Sequence, residues 1–161
     1  WRPTFWSLAA DAEPTAEIQQ QMQPLLRQAD LLKLAAEEAE GLFSSRDPQG
    51  VAAALPQRPA VVITDGGKGV SWSMGAASGA LPAYRVPVVD TTGAGDAFLA
   101  GLLHRLVKEP TLLAGSDPDR VRQALQFASA CGALVCQGAG AIDPQPAEAG
   151  VLVFIEQQPA G

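Results

Sequence analysis

Histidine occurs once and cysteine twice among the 161 residues of this chain, and aromatic residues make up only 6% of it. Those counts argue against a Cys/His metal centre, because Cys131 and Cys136, five apart, supply no ligand pattern for one. The two cysteines read instead as reduced core thiols of a helix, which fits a cytoplasmic protein. Basic residues are also scarce: 11 Lys and Arg stand against 17 Asp and Glu, a net charge of −6. This balance argues against nucleic acid as a general partner and requires any anionic substrate to be held locally. No apolar run reaches the roughly 18 residues that a membrane-spanning helix needs, so no membrane partner is expected, and no secretory signal is visible. With 47% hydrophobic and 17% charged residues, the composition is that of one globular domain, and 16 Gly with 13 Pro imply many turns.

The most informative stretch is Val88-Val-Asp-Thr-Thr-Gly-Ala-Gly-Asp-Ala-Phe98 and the residues that follow it. A short β-branched run, a Thr/Gly-rich turn and apolar positions at 99, 102, 103, 106 and 107 predict strand, tight loop and amphipathic helix. Gly93, Ala94 and Gly95 allow bare backbone to approach a ligand. The first N–H groups of a helix lack intrahelical partners and carry the positive end of its dipole, so this turn is an anion hole suited to a phosphoryl group. Asp96, in the first helical turn, is held beside whatever the loop binds. A carboxylate there can accept a hydroxyl proton late in phosphoryl transfer, a reaction that depends mainly on positioning and charge neutralisation. The plainer alternative is a helix capped by Thr91 or Thr92, turned by two glycines, with Asp96 complementing the dipole.

Elsewhere the pattern alternates between strand and helix. Residues 13–30 have helical spacing, with Pro24 predicted to kink or split the helix. Strands are expected near 31–34, 59–64, 70–74 and 81–86, with 87–89 as a further candidate, and 75–79 reads as a flexible connection. The 59–64 run lacks alternation, as in a strand buried on both faces. Asp65-Gly-Gly-Lys-Gly69 is a sharp turn with the signature of a hairpin, and its glycines leave backbone free to approach a ligand. Asp47-Pro48 opens a short helix, and Asp117-Pro118 a longer one with Val121, Leu125, Ala128, Gly132 and Val135 along a buried stripe. The segment 147–157 is compatible with either a helix or a strand. His104 lies eight residues after Asp96, roughly 12 Å along the helix at 1.5 Å per residue, and reads as a packing or surface residue. Together these elements predict an α/β layered fold with ligands at the C-terminal ends of strands.

Asp90-Thr-Thr-Gly-Ala-Gly-Asp96 with Ala97-Phe98 resembles, position by position, the C-terminal signature of the PfkB (ribokinase-like) family of carbohydrate kinases. The resemblance implies a ribokinase-like three-layer α/β/α sandwich. It also implies that Asp96 is the catalytic base, with Gly93, Ala94 and Gly95 forming the anion hole. Thr64-Asp-Gly-Gly-Lys-Gly69 is similar to the family's nucleotide loop, which makes Thr64, Gly66 and Gly69 nucleotide-binding candidates. Phe127-Ala-Ser-Ala-Cys-Gly-Ala-Leu134 resembles the segment that packs near the adenine, where Ser129 replaces the usual Asn and Gly132 is kept. Glu38 matches the Glu of a magnesium-holding Asn-x-x-Glu pattern, although Ala35 stands where Asn is expected. Asp90 and Thr92 match residues that, with carbonyls of the later Gly-Ala-Ile142 loop, surround a monovalent cation, usually potassium.

Trp1-Arg-Pro-Thr-Phe-Trp6 is similar to a segment that follows a central strand in fructokinase-like members. On this reading residues 1–161 are the C-terminal part of a PfkB domain, and the lid and most sugar-binding residues precede them. The resemblance therefore implies ATP-dependent phosphorylation of a sugar hydroxyl, fructose to fructose 6-phosphate, with ATP, Mg2+ and K+ bound and a homodimer open to the longer chain. The 161 residues alone are expected to be inactive, since transfer needs both substrates positioned. The alternatives are a non-catalytic regulatory relative, or a kinase for ribose, a nucleoside or 2-keto-3-deoxygluconate. A dinucleotide-binding domain ranks last, because neither glycine loop follows the Gly-x-Gly-x-x-Gly spacing.

Overall fold

The computed structural model describes residues 16–158, so the Trp1–Trp6 segment lies outside the described residues. Helix α1 (Ala16–Leu26) leads into β1 (Leu31–Ala35), α2 (Ala36–Phe43), α3 (Pro48–Ala53) and β2 (Ala60–Thr64). Then come β3 (Val70–Met74), β4 (Ala77–Leu81), α4 (Ala94–Lys108), α5 (Pro118–Val135) and α6 (Glu148–Gln157). The four strands form one mixed sheet in the order β1-β2-β3-β4, with β1 parallel to β2 and the two later pairings antiparallel.

The two-residue period of β2 explains the layering. Ala60 and Val62 join a core with Trp72, Met74, Phe98, Leu102 and Leu125, which seats α4 and α5 on one face. Val61 and Ile63 point the other way and pack with Leu34, Ala39 and Val51 of β1, α2 and α3. A strand buried on both faces must be apolar at every position, as predicted for 59–64. A third cluster, including Phe127, Cys131, Val151 and Phe154, fixes α6 against α5. No helix among the described residues is long and apolar enough to cross a membrane.

Several expectations change. Residues 81–86 do not form a strand: β4 runs from Ala77 to Leu81, so the predicted connection 75–79 contains its first half. Gly75 takes a left-handed φ of 55° in the two-residue turn, and Gly79 pairs with Trp72, where a Cβ would come within 2.6 Å of the indole ring. Pairing with a large aromatic outweighs the weak strand propensity of small residues. Beyond Leu81, Pro82 and Pro87 lack N–H groups for a ladder. Residues 87–89 form no strand either, since the N–H groups of Val89 and Asp90 donate to the Cys136 carbonyl at 2.8 and 3.3 Å. Pro24 sits within a single helix that ends two residues later, so its missing N–H affects only the last turn. The open choice at 147–157 resolves as helix, because Val151 and Phe154, three apart, are the buried pair.

Candidate active site

The start of α4 owes its geometry to Gly93. Its φ of 82° is left-handed, and a Cβ there would lie 2.6 Å from the Ala141 Cβ, so glycine is required both by conformation and by close approach. The Gly93 carbonyl accepts the N–H of Ala97 at 2.8 Å, while the Ala94 N–H turns back to the Thr91 carbonyl at 3.2 Å. That leaves the N–H groups of Gly95 and Asp96, which meet no acceptor among the described residues. Asp96 is exposed in the same turn. Two donors unpaired among the described residues, at the positive end of a 15-residue helix with a carboxylate in the same turn, are an arrangement able to receive an anion.

This turn opens on a cavity of about 340 Å3 that extends between the β2–β3 turn and α5. Thr64, Gly66 and Gly69 line it from the hairpin, Ala94 and Gly95 from α4, and Ser129 and Gly132 from α5. Its apolar wall includes Val70, Tyr84, Val86, Phe98 and Ala133. Gly132 has a packing role here, since a Cβ would stand 3.0 Å from the Ala94 carbonyl oxygen and push the start of α4 away. Gly69 has one too: with φ at 113°, a Cβ would lie 2.0 Å from the Leu81 carbonyl oxygen.

Model of the pfkB family of carbohydrate kinases and this chain match over residues 6–148. The chain belongs to that family. Fructokinase-1 of Zea mays is 37% identical over 144 residues, which cover 88% of this chain and 44% of the maize protein. A Xylella fastidiosa fructokinase solved with bound ATP superposes with a TM-score of 0.79 at 29% identity, over 98% of this chain and 50% of that one. A Vibrio cholerae fructokinase in a fructose-, ADP- and calcium-bound form gives 0.69 at 29% identity, over 86% of this chain and 44% of that one. The chain thus spans about half the length, or less, of the fructokinases it matches. The mixed sheet with flanking helices is the ribokinase-like α/β fold of these relatives.

The predicted site residues fall into three groups. Thr64, Gly66, Gly69, Ala94, Gly95, Ser129 and Gly132 share the cavity wall, whereas Gly93 and Asp96 flank it and Glu38, Asp90 and Thr92 stand apart from it. Asp90 is the hub of a small polar network. One of its oxygens accepts both the N–H and the hydroxyl of Thr92, at 2.9 and 2.7 Å, and the other accepts the Gly140 N–H at 3.0 Å. These bonds, the Thr92 N–H foremost, hold its carboxyl below the ordinary range. Glu38 accepts the Ala35 N–H at 2.7 Å, closing half of a capping box at the start of α2. Burial pushes the Glu38 carboxyl up, but it lies below its ordinary value; among the described residues, the Ala35 hydrogen bond and the charge of Lys33 pull it down.

Two residues on or near the cavity had no recognisable role in the sequence. The buried hydroxyl of Tyr84 has no hydrogen-bond partner among the described residues, and its ring meets Phe154 edge-on at 5.1 Å. Lys33 ends beside Gly95: a Cβ on that glycine would lie 3.2 Å from the Lys33 Nζ. Cys131 lies in the core as expected, whereas Cys136, at the end of α5, is half-buried and lines the cavity. Both are free, and burial pushes Cys131 up to about 11. His104 stacks on Phe127 at 5.8 Å, with Nε2 3.3 Å from a Glu148 carboxylate oxygen, consistent with a packing role.

Proposed function

We propose that the protein containing this chain transfers the γ-phosphoryl group of ATP to a sugar hydroxyl, with fructose as acceptor and fructose 6-phosphate as product. The observation that carries this reading is the free N–H pair of Gly95 and Asp96 beside the Asp96 carboxylate, at the mouth of a cavity lined by the pfkB nucleotide residues. In a loose phosphoryl-transfer transition state, charge spreads over the transferred oxygens, and donors already aimed at them need no reorganisation. Asp96 receives the acceptor proton as the new bond forms. An exposed, weakly basic carboxylate suffices, because that proton is lost late.

The apolar wall formed by Val86, Phe98 and Ala133 suits a nucleobase, with Ser129 as its polar contact and the Thr64–Gly69 turn over the phosphates. Among the described residues no three His, Cys, Asp or Glu side chains converge on one point. Magnesium fits this arrangement, since it keeps several waters and takes one or two carboxylates plus substrate phosphates. Glu38 would hold it, and its charge would offset that of the phosphates. Asp90, Thr92 and the carbonyls of the loop around Gly140 would hold a monovalent cation. The partners of this reading are ATP and a sugar, its setting is the cytoplasm, and residues 1–161 alone do not turn over.

Steady-state phosphorylation of fructose, ribose, adenosine and 2-keto-3-deoxygluconate by the full reading frame tests the proposal. Fructose turnover is expected, with kcat falling by roughly 10²–10⁴ in Asp96→Asn. Turnover on another acceptor keeps the mechanism and replaces the substrate. One observation favours a second reading: Ala35 supplies no side-chain donor or acceptor where the pfkB pattern has Asn. Nucleotide binding without turnover on any acceptor would establish that non-catalytic role.

A further inference from the structure

Strand β1 sends alternate side chains to opposite faces of the sheet. Leu32 and Leu34 pack toward α2 and α3, whereas Leu31 packs into the core beneath α4 and α5. Lys33 has the parity of Leu31 and pairs in register with Val62, which lies in that same core. Its stem therefore runs under α4, and its ammonium emerges at the helix's first turn, against Gly95. The missing Cβ of Gly95 makes this approach possible. No carboxylate lies within ion-pair distance of Lys33 among the described residues, and it makes no hydrogen bond there.

A half-buried cation at the positive end of a helix is electrostatically unfavourable, because the dipole and the ammonium have the same sign. The arrangement becomes favourable when an anion sits between the Gly95 and Asp96 N–H groups and the ammonium. We infer that Lys33 is a substrate-contacting residue that closes the anion hole from the strand side and donates hydrogen bonds to the terminal phosphoryl oxygens of a nucleoside triphosphate. This inference rests on the phosphoryl-transfer reading of the same site. Lys33 transfers no proton and forms no covalent bond. Its contribution is a point charge that tightens as negative charge develops on the transferred group.

The terminal phosphoryl is the part that distinguishes ATP from ADP, so the test compares the two. Equilibrium binding of ATP and of ADP is measured for the full reading frame and for its Lys33→Met, Lys33→Gln and Lys33→Arg variants, alongside melting temperatures and turnover. In Lys33→Met, ATP affinity is expected to fall about tenfold or more, the scale of a lost charge-assisted hydrogen bond, while ADP affinity is unchanged. Turnover should fall by about 10²–10³, as on loss of one transition-state donor, and Lys33→Arg should retain part of the preference for ATP. The melting temperature should change little, since the ammonium makes no hydrogen bond or close ion pair among the described residues and loses only its longer-range attraction to Glu38. Equal weakening of ATP and ADP, or no change in either, overturns the inference; if Lys33→Met fails to fold, Lys33→Gln decides by the same comparison. Should the wild type bind nucleotide but phosphorylate no acceptor, the kinase reading fails while the ATP-to-ADP ratio still decides Lys33. A wild type that binds neither nucleotide overturns both.

Discussion

The Asp90 carboxylate accepts the backbone N–H of Gly140 at 3.0 Å, tying the loop before α4 to the loop after α5 across fifty residues of sequence. The same carboxylate holds Thr92 through two further bonds, so one side chain organises the approach to the first turn of α4. Its pKa is depressed in the folded state, so its contribution to stability is complete above the ordinary carboxylate value of 3.8 and is lost as pH falls through the depressed value. Asp90→Ala is therefore expected to melt below wild type at neutral pH. The gap should close as the pH is lowered beneath that range. Melting curves recorded from pH 7 downward check this, and a gap that stays constant to the most acid point would show that the bonds do not depend on ionisation.

The two glycines at positions 67 and 69 behave oppositely despite being two residues apart. Gly69 is left-handed, with β4 backbone 2.0 Å from where a Cβ would be, whereas a Cβ at Gly67 would meet nothing within 4 Å. Gly69→Ala should cost more than about 2 kcal/mol through strain and displacement of β4, and Gly67→Ala should fall within about 0.5 kcal/mol of wild type. Chemical denaturation of the two variants distinguishes these outcomes. Similar losses in both would show that the turn, rather than its contact with β4, sets the requirement.

Ala35 occupies the N-cap of α2 with extended backbone, φ −76° and ψ 158°, and has no side-chain acceptor for the first free N–H groups. Glu38 already supplies the reciprocal half of the box. Ala35→Asn should complete the cap by accepting from Glu37 or Glu38, worth about 1 kcal/mol, or roughly 2–4 °C for a domain of this size. A melting temperature equal to or below that of wild type would mean that the surroundings of residue 35 cannot accommodate the longer side chain.

Which parts of the fold were readable in the sequence depended on the range of the interactions. The α4 and α5 patterns were readable because residues three and four apart share a face of the same helix. The stretch 81–89 was misread because β-branched composition cannot say whether a partner strand is there. Tyr84 and Val86 instead pack with the third core cluster, and the neighbouring backbone donates to the end of α5. The glycines of the 75–79 stretch looked flexible for the same reason, since the indole that makes Gly79 necessary lies on another strand.

By itself the sequence determined the turn Thr91–Asp96, the carboxylate in the first turn of the helix it opens, and the two-faced burial of β2. All of these follow from backbone sterics and short-range periodicity. Tertiary structure alone decided that the hairpin glycines, the start of α4 and the small residues of α5 enclose one cavity. It also decided that Lys33 emerges at Gly95 and that Asp90 reaches Gly140. Those relationships depend on how strand parity and helix packing combine across the sheet, which no local window of residues contains.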